Sequence, residues 1–401
     1  MRQVVVHCDA PFLPEEIIRN ILKRLPLKSL IRFQCVCKCW KNLFKTSSFI
    51  ADHLHHSSLQ NPSLLLKQNS SYEPLHLCLI DCEMNVLKIQ NPPLIGSLLH
   101  VKIISSSYGL LCVAIDESAI RIPSPFLCKS LLLWNPAIGE VRQIPRTSSV
   151  KFGEWVYAEG FGFSAIVNDY KIVRAYAKYD GVINGVEVYS LSTGSWKEIE
   201  FGPLKGVSLF GGTVTANGSI FWHVLKSDVE DDIEMVVSFD IATEVFTLIP
   251  WPPLSDGSSS KLSVYEDKLA VISLSGIGDF PNYLYSLIDL WVLEEVIDSS
   301  TERWRWTKKY TCNSCPSMLD YPVTIWRNEI VCAYLGKPVF TNESGGREME
   351  TDEENFGLYL INIITNECKM LAVPGRYWGN GFNYVESLVP VGNIQFEAPS
   401  S

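Results

Sequence analysis

Residues able to hold a metal or to act as nucleophiles crowd into the first sixty positions. Cys35, Cys37 and Cys39 alternate with other residues, and His53, His55 and His56 follow. Thiolates and imidazoles are the usual ligands of structural zinc, whose tetrahedral sites prefer Cys-x2–4-Cys and His-x3–5-His spacings. On a helix, alternate residues point about 200° apart. Three such sulfurs cannot converge on one ion, so they read as core thiols. Cys312-Asn313-Ser314-Cys315 has metal or redox spacing but no second pair to complete a site. The acidic runs 228–234 and 348–354 have the charge for a cation or a partner, and read first as solvated loops.

Other catalytic signatures are missing from the sequence. It has no Gly-x-Gly-x-x-Gly opening a helix, no Walker loop, no Gly-x-Ser-x-Gly elbow and no His-Glu-x-x-His. Phe161-Gly162-Phe163 fits a strand and turn better than a phosphate cradle. After the first sixty residues only His76, His100 and His223 remain as histidines. The chemistry of this chain is therefore expected to lie in surfaces, with no catalytic, cofactor-binding or metal-binding residues assigned.

The elements that carry those surfaces fall into two units. A chain of 401 residues suits one small and one large domain. Apolar runs such as 130–135 stay far below the ~18 residues that a membrane span requires. Residues 1–7 lack the apolar core and cleavage site of a secretory signal. With a cytoplasmic or nuclear setting expected, the 12 cysteines read as reduced thiols, and Asn217-Gly218-Ser219 and Asn342-Glu343-Ser344 as accidental glycosylation patterns. Charge is divided unevenly. Residues 1–56 hold nine Lys/Arg against four Asp/Glu, within a chain of net charge −10. An acidic large domain argues against nucleic acid as a partner, and a small basic one suits an acidic protein.

Residues 13–56 read as short helices. Pro14 suits a helix start, and Glu15 and Glu16 suit the positive end of its dipole. Ile17, Ile18, Ile21, Leu22 and Leu25 recur at helical spacing until Pro26. A second helix is expected over about 27–36 and a third near 37–45, with Phe49 and His53 in a final turn. So small a unit cannot bury a sufficient core by itself. Its apolar faces must meet either the following domain or a partner.

The wording Leu13-Pro14-Glu15-Glu16-Ile17-Ile18, then Leu25-Pro26-Leu27-Lys28-Ser29-Leu30, then Val36-Cys37-Lys38-Cys39-Trp40 resembles the plant F-box over about 45 residues. Cys39 departs from that pattern, where a small polar residue is commoner. The resemblance implies docking into an acidic Skp-type adaptor and, through it, a cullin. The positions matching the adaptor-facing residues are Leu13, Pro14, Ile17, Ile18, Ile21, Leu22, Leu25, Pro26, Leu30, Phe33, Val36, Cys37 and Trp40. Lys23, Arg24, Lys28 and Lys38 would steer the encounter.

From about residue 62 the texture becomes short strands with turn punctuation. A strand, a polar turn and a second strand ending near Pro recur at 131–145, 186–199, 236–250 and 358–371, and more loosely at 288–310. Units at 63–90, 99–145, 157–199, 207–249, 260–310 and 319–372 predict an all-β propeller-like domain of about six blades. A strand over 384–390 is expected to seal the ring against the first blade. A pair of β-sandwiches is the rival architecture. The phrases Leu132-Leu133-Trp134-Asn135-Pro136, Gly160-Phe161-Gly162-Phe163 and Val186-Glu187-Val188-Tyr189-Ser190-Leu191 resemble the plant F-box-associated, kelch-like domain. The family includes the S-locus F-box branch, which recognises self-incompatibility ribonucleases; the C-terminal wording is similar to that branch, and nothing in it separates that branch from other family members.

The expected architecture is therefore an F-box over 10–56, an F-box-associated propeller over 57–394 and a flexible tail over 395–401. The resemblance implies a non-catalytic substrate receptor of an SCF-type (Skp–cullin–F-box) ubiquitin ligase, with a target protein as partner and neither nucleic acid nor membrane. Trp304 and Trp306 read as packed between blades. The loop aromatics Trp155, Tyr157, Trp251, Tyr377, Trp378 and Phe382 are the candidate target-binding residues. The rivals are an F-box scaffold outside ubiquitin transfer and a kelch-type propeller oxidase.

Overall fold

A computed structural model describes residues 13–60, 62–68, 76–89, 101–115, 130–147, 155–177, 183–227, 232–255, 258–277, 285–295, 304–315, 319–335, 356–373 and 378–392. Residues 1–7, His100, Cys8, Cys128, Tyr377, the run 348–354, most of 228–234 and the tail 395–401 lie outside the described residues, as does the Asn342 sequon.

Four helices come first: α1 Glu15–Leu22, α2 Leu27–Phe33, α3 Lys38–Leu43 and α4 Ser47–Gln60. Each start has a local cause. Pro14 and Pro26 occupy the capping positions of α1 and α2 in extended backbone, where the N–H that proline lacks is not needed. Cys37 caps α3, its sulfur accepting the Trp40 N–H at 3.4 Å. Where a final turn was expected, α4 runs for 14 residues, because no Gly or Pro interrupts the chain between 47 and 60. Arg19 of α1 holds Asp52 of α4 at 2.7 Å across the module.

The rest of the described chain is six four-stranded antiparallel sheets. The first contains β1 Ser63–Gln68, β2 Leu77–Ile80 and β3 Val86–Lys88. The second runs through β4 Val101–Ser107, β5 Leu110–Ile115, β6 Ser130–Asn135 and β7 Glu140–Gln143. The third is β8 Trp155–Ser164, β9 Asp169–Ala177, β10 Ile183–Ser190 and β11 Ser195–Glu198. The fourth is β12 Val207–Ala216, β13 Ser219–Ser227, β14 Asp232–Asp240 and β15 Val245–Pro250. The fifth is β16 Ser259–Tyr265, β17 Lys268–Ile277, β18 Tyr285–Glu295 and β19 Trp304–Cys315. The sixth is β20 Leu319–Trp326, β21 Glu329–Leu335, β22 Phe356–Asn362 and β23 Cys368–Ala372. A last strand, β24 Trp378–Tyr384, pairs with β1 and completes the first sheet. The inner strands β4, β8, β12, β16, β20 and β24 touch in sequence around a closed ring, a six-bladed propeller.

The ring is closed by 378–384, with Leu64 opposite Asn383, rather than by the expected 384–390. Trp378-Gly379-Asn380-Gly381-Phe382-Asn383-Tyr384 carries two glycines, so its sequence has little strand character. At Gly381 the innermost position requires glycine, since a Cβ there would lie 2.8 Å from Val323 Cγ1 of the neighbouring blade.

Apolar layers between successive blades form the core. Leu65, Leu111, Val113, Trp134 and Tyr384 fill the layer between the first two blades, and Ile272, Leu290, Ile330 and Cys332 the one between the last two. A repeated polar latch adds register. Trp196 Nε1 donates to Pro145 O at 2.7 Å, Trp306 Nε1 to Pro250 O at 2.7 Å and Trp326 Nε1 to Pro62 O at 2.8 Å. Each joins one blade to a proline of its neighbour, which gives the recurring Trp and Pro of the sequence phrases a physical role.

The helical module is seated on the propeller. Leu22, Leu27, Leu30, Phe44 and Phe49 form one cluster with Leu388, against which Ala137 and Ile138 of the β6–β7 turn also pack. Residues 385–391 run beneath this contact as a strut. Fully buried Asn135 donates from Nδ2 to Ser387 O at 3.0 Å and Val389 O at 2.9 Å, and its Oδ1 accepts the Ala137 N–H. The strut also presses on Gly109. There φ is +80° and a Cβ would meet Ser387 Oγ at 2.2 Å, so only glycine fits.

Candidate functional site

Two features of this frame bear on function: the outward face of the helical module and the cavity on the ring axis. On the module, the folded arrangement divides the apolar residues into two sets. Leu22 and Leu30 are buried in the shared core, and Ile18, Leu25, Phe33 and Trp40 pack partly against it. Leu13, Ile17, Ile21 and Val36 stay 41–61% exposed. Ile17 and Ile21 are four residues apart on α1, hence on one stripe of that helix. Ile31 on α2 is also exposed, though it is not among the predicted site residues.

Pro14 and Pro26 are exposed beside the helix starts, and Cys37 is half-buried as a cap. Cys35 and Cys39 are exposed, while His53 is buried on α4. Among the described residues no group of three or more His, Cys, Asp or Glu stands together as a metal site.

His53 ties α4 to the end of α1. Its Nε2 lies 3.1 Å from Leu25 O, so Nε2 carries the hydrogen and donates; its buried Nδ1 has no partner among the described residues. Burial pulls its pKa below the ordinary value, outweighing the opposing hydrogen bond to Leu25. The unfolded chain therefore binds the extra proton first, and acid removes stability as pH falls through about 6.5 and toward the lowered folded value. Melts of the wild type should fall more between pH 7 and pH 5 than those of His53→Gln. An identical fall in both would rule out His53 as the cause.

Of the candidate target-binding residues, Trp251 and Phe382 have side chains among those described. Trp251 stacks on His223 with ring centroids 4.0 Å apart and packs against a core cluster. Phe382 lines the axial cavity and packs against the layer between the first two blades. Trp155 and Trp378 begin β8 and β24. Trp304 and Trp306 pack partly against the core cluster between the fourth and fifth blades.

The axial cavity, of about 770 Å³, is walled by β4, β12, β16, β20 and β24 together with Glu159 of β8 and His223 of β13. Glu159 is paired with Arg174, both buried, at 3.1 Å. The helices cover the face that carries the β6–β7 turn. The inner strands run toward that face, since the β4–β5 turn at Tyr108-Gly109 meets the strut there.

Comparison with known families agrees with this two-part build. Residues 11–52 match the F-box domain, and residues 81–391 match the F-box associated beta propeller domain. The chain belongs to the F-box proteins with an F-box associated β-propeller. Two putative F-box/kelch-repeat proteins of Arabidopsis thaliana are each 25% identical to it. Over 404 and 413 residues they cover 94% of this chain, and 95% and 98% of their own lengths. Another F-box/kelch-repeat protein of that plant is 26% identical over 335 residues, covering 78% of this chain and 82% of its own. Among the described residues, no helix of this F-box protein is long and apolar enough to cross a membrane.

Proposed function

We propose that this F-box protein is the substrate-recognition subunit of an SCF-type ubiquitin ligase, acting in the cytoplasm or nucleus. The observation that carries the reading is the division of the F-box. Its inner side chains seat it on the propeller, while Leu13, Ile17, Ile21, Ile31 and Val36 remain uncovered. An apolar helical face of this kind suits a Skp-type adaptor, with the exposed aliphatics as anchors. The protein itself performs no bond chemistry. Holding a target lysine near the charged conjugating enzyme raises its effective concentration, and that is the contribution to rate.

The target would meet the propeller on the face away from the helices. The large domain carries the chain's excess of Asp and Glu, which favours a target with a positive surface. The S-locus resemblance makes a self-incompatibility ribonuclease the target class to try first. The test is reconstitution: the chain with a Skp-type adaptor, a cullin–RING pair and a candidate ribonuclease. A one-to-one adaptor complex and ubiquitin chains on the ribonuclease are expected. Adaptor binding without transfer to any bound protein would favour a scaffold outside ubiquitin transfer, and failure against a panel of adaptors would remove the ligase reading.

A further inference from the structure

The turn 23–26 joins α1 to α2 and sets the angle between the helix that carries Ile17 and Ile21 and the one that carries Ile31. Backbone bonds secure its near side, where the Lys23, Arg24 and Leu25 N–H groups donate to Arg19 O, Ile21 O and Leu22 O. The Leu25 carbonyl is held from α4, by the Nε2–H of His53. Two successive residues of α4 thus grip α1 and its turn, Asp52 on Arg19 and His53 on Leu25. The first grip is an exposed pair and contributes little. The second is shut away from water, with His53 only 2% exposed and the Phe49 ring stacked on it at 6.3 Å.

A neutral imidazole tolerates its buried, unpartnered Nδ1 as a bare acceptor. An imidazolium would carry a second N–H there, and a buried cationic donor with no acceptor is costly. Among the described residues the module places no free carboxylate beside it. Asp52 is taken by Arg19, and Glu15 and Glu16 stand in the first turn of α1, at its other end. The turn itself adds Lys23 and Arg24, α2 adds Lys28 and Arg32, and α3 adds Lys38 and Lys41. On α4, His56 repels a proton on His53, and His55 is exposed. From the strut, Glu386 acts on Lys28.

We propose that His53 is an acid-released pin: taking a proton drives the ring from its pocket, frees the turn 23–26 and loosens the F-box from a Skp-type adaptor while the propeller stays closed. Adaptor release rests on the ligase reading above, and it is a local event, distinct from the loss of overall stability in acid. At pH 5.5 a histidine freed to water, with an ordinary pKa of about 6.5, favours the proton about tenfold. Opening of the turn becomes easier by up to the same factor. A module with so small a core opens locally at far lower cost than the ring unfolds, and adaptor affinity scales with the fraction that is closed.

Surface plasmon resonance of the full chain on a Skp-type adaptor at pH 7.5 and pH 5.5 tests it, with hydrogen exchange of the free chain at both. Wild-type affinity should fall about threefold or more beyond the fall of His53→Gln, which can still donate to Leu25 O and does not titrate. Exchange of amides 21–25, corrected for its intrinsic pH dependence, should quicken by up to about tenfold in the wild type alone, with β5 and β17 unchanged. His53→Leu is the second neutral variant, should the glutamine variant lose its circular dichroism signal. His55→Gln, at an exposed position, should respond like the wild type. Equal affinity ratios in the wild type and the neutral variants, or equal exchange, would overturn the proposal and leave the adaptor reading standing. A wild type that binds no adaptor at either pH would remove both.

Discussion

The Ile17→Asp/Ile21→Asp variant is expected to lose the Skp-type adaptor while keeping its fold. Both side chains are nearly half exposed, at 45% and 48%, on one stripe of α1. Neither belongs to the cluster that seats the module on the propeller. Exposed substitutions of this kind shift stability by roughly 0.5 kcal/mol or less. Two carboxylates in an apolar interface would have to be desolvated against an acidic partner. Loss of a central anchor commonly costs about 2 kcal/mol or more, so the pair should weaken binding by well over about thirtyfold. Leu30→Asp is the contrasting case. Leu30 is fully buried between the helices and the propeller seat, and a charge there should unfold the module itself. Surface plasmon resonance on the adaptor, with circular dichroism on each variant, separates the two. Wild-type affinity in the double variant would move the adaptor site elsewhere on the chain.

The second large effect is expected inside the third blade. Arg174 is fully buried, with Nε and Nη2 at 3.2 and 3.1 Å from Glu159 Oε1, and its guanidinium lies 5.5 Å from the Trp196 ring. Its charge also opposes the rise that burial imposes on the pKa of Glu187. Arg174→Met would leave Glu159 charged and buried without its cation and take support from Glu187. Breaking a buried pair from one side typically costs about 3–5 kcal/mol. Glu159→Leu/Arg174→Met, which removes both charges, should recover much of that loss. Urea denaturation of the three proteins measures the difference. A double variant no more stable than Arg174→Met would mean that shape, rather than the unpaired charge, sets the cost.

Much of this architecture is legible in the sequence, for reasons that can be named. The Leu-Pro phrases mark helix starts because proline is tolerated there, and α1 and α2 begin beside them. The strand–turn–strand phrases mark outer strands, whose apolar faces fill the layers between blades. The closing strand is harder to read because its place at the axis demands glycine and polar residues, the reverse of strand preference. Periodicity alone also could not sort Ile17 from Leu22. In so small a module every face is apolar, and only the seat formed by Ala137, Ile138 and Leu388 decides which side is covered.

Ring closure also imposes an order on synthesis. The helices that would meet the adaptor leave the ribosome before the propeller, whereas β24 follows every other described strand and pairs with β1 across some 300 intervening residues. Contacts of such sequence separation form late and slowly. Leu388 of the module's seat and the strut beneath it come later still. A chain cut short before 378 would carry its helices without a sealed ring or a platform for them. Only a chain made through residue 391 holds both halves in a fixed relation, so the molecule's usefulness is itself a check that translation was carried through.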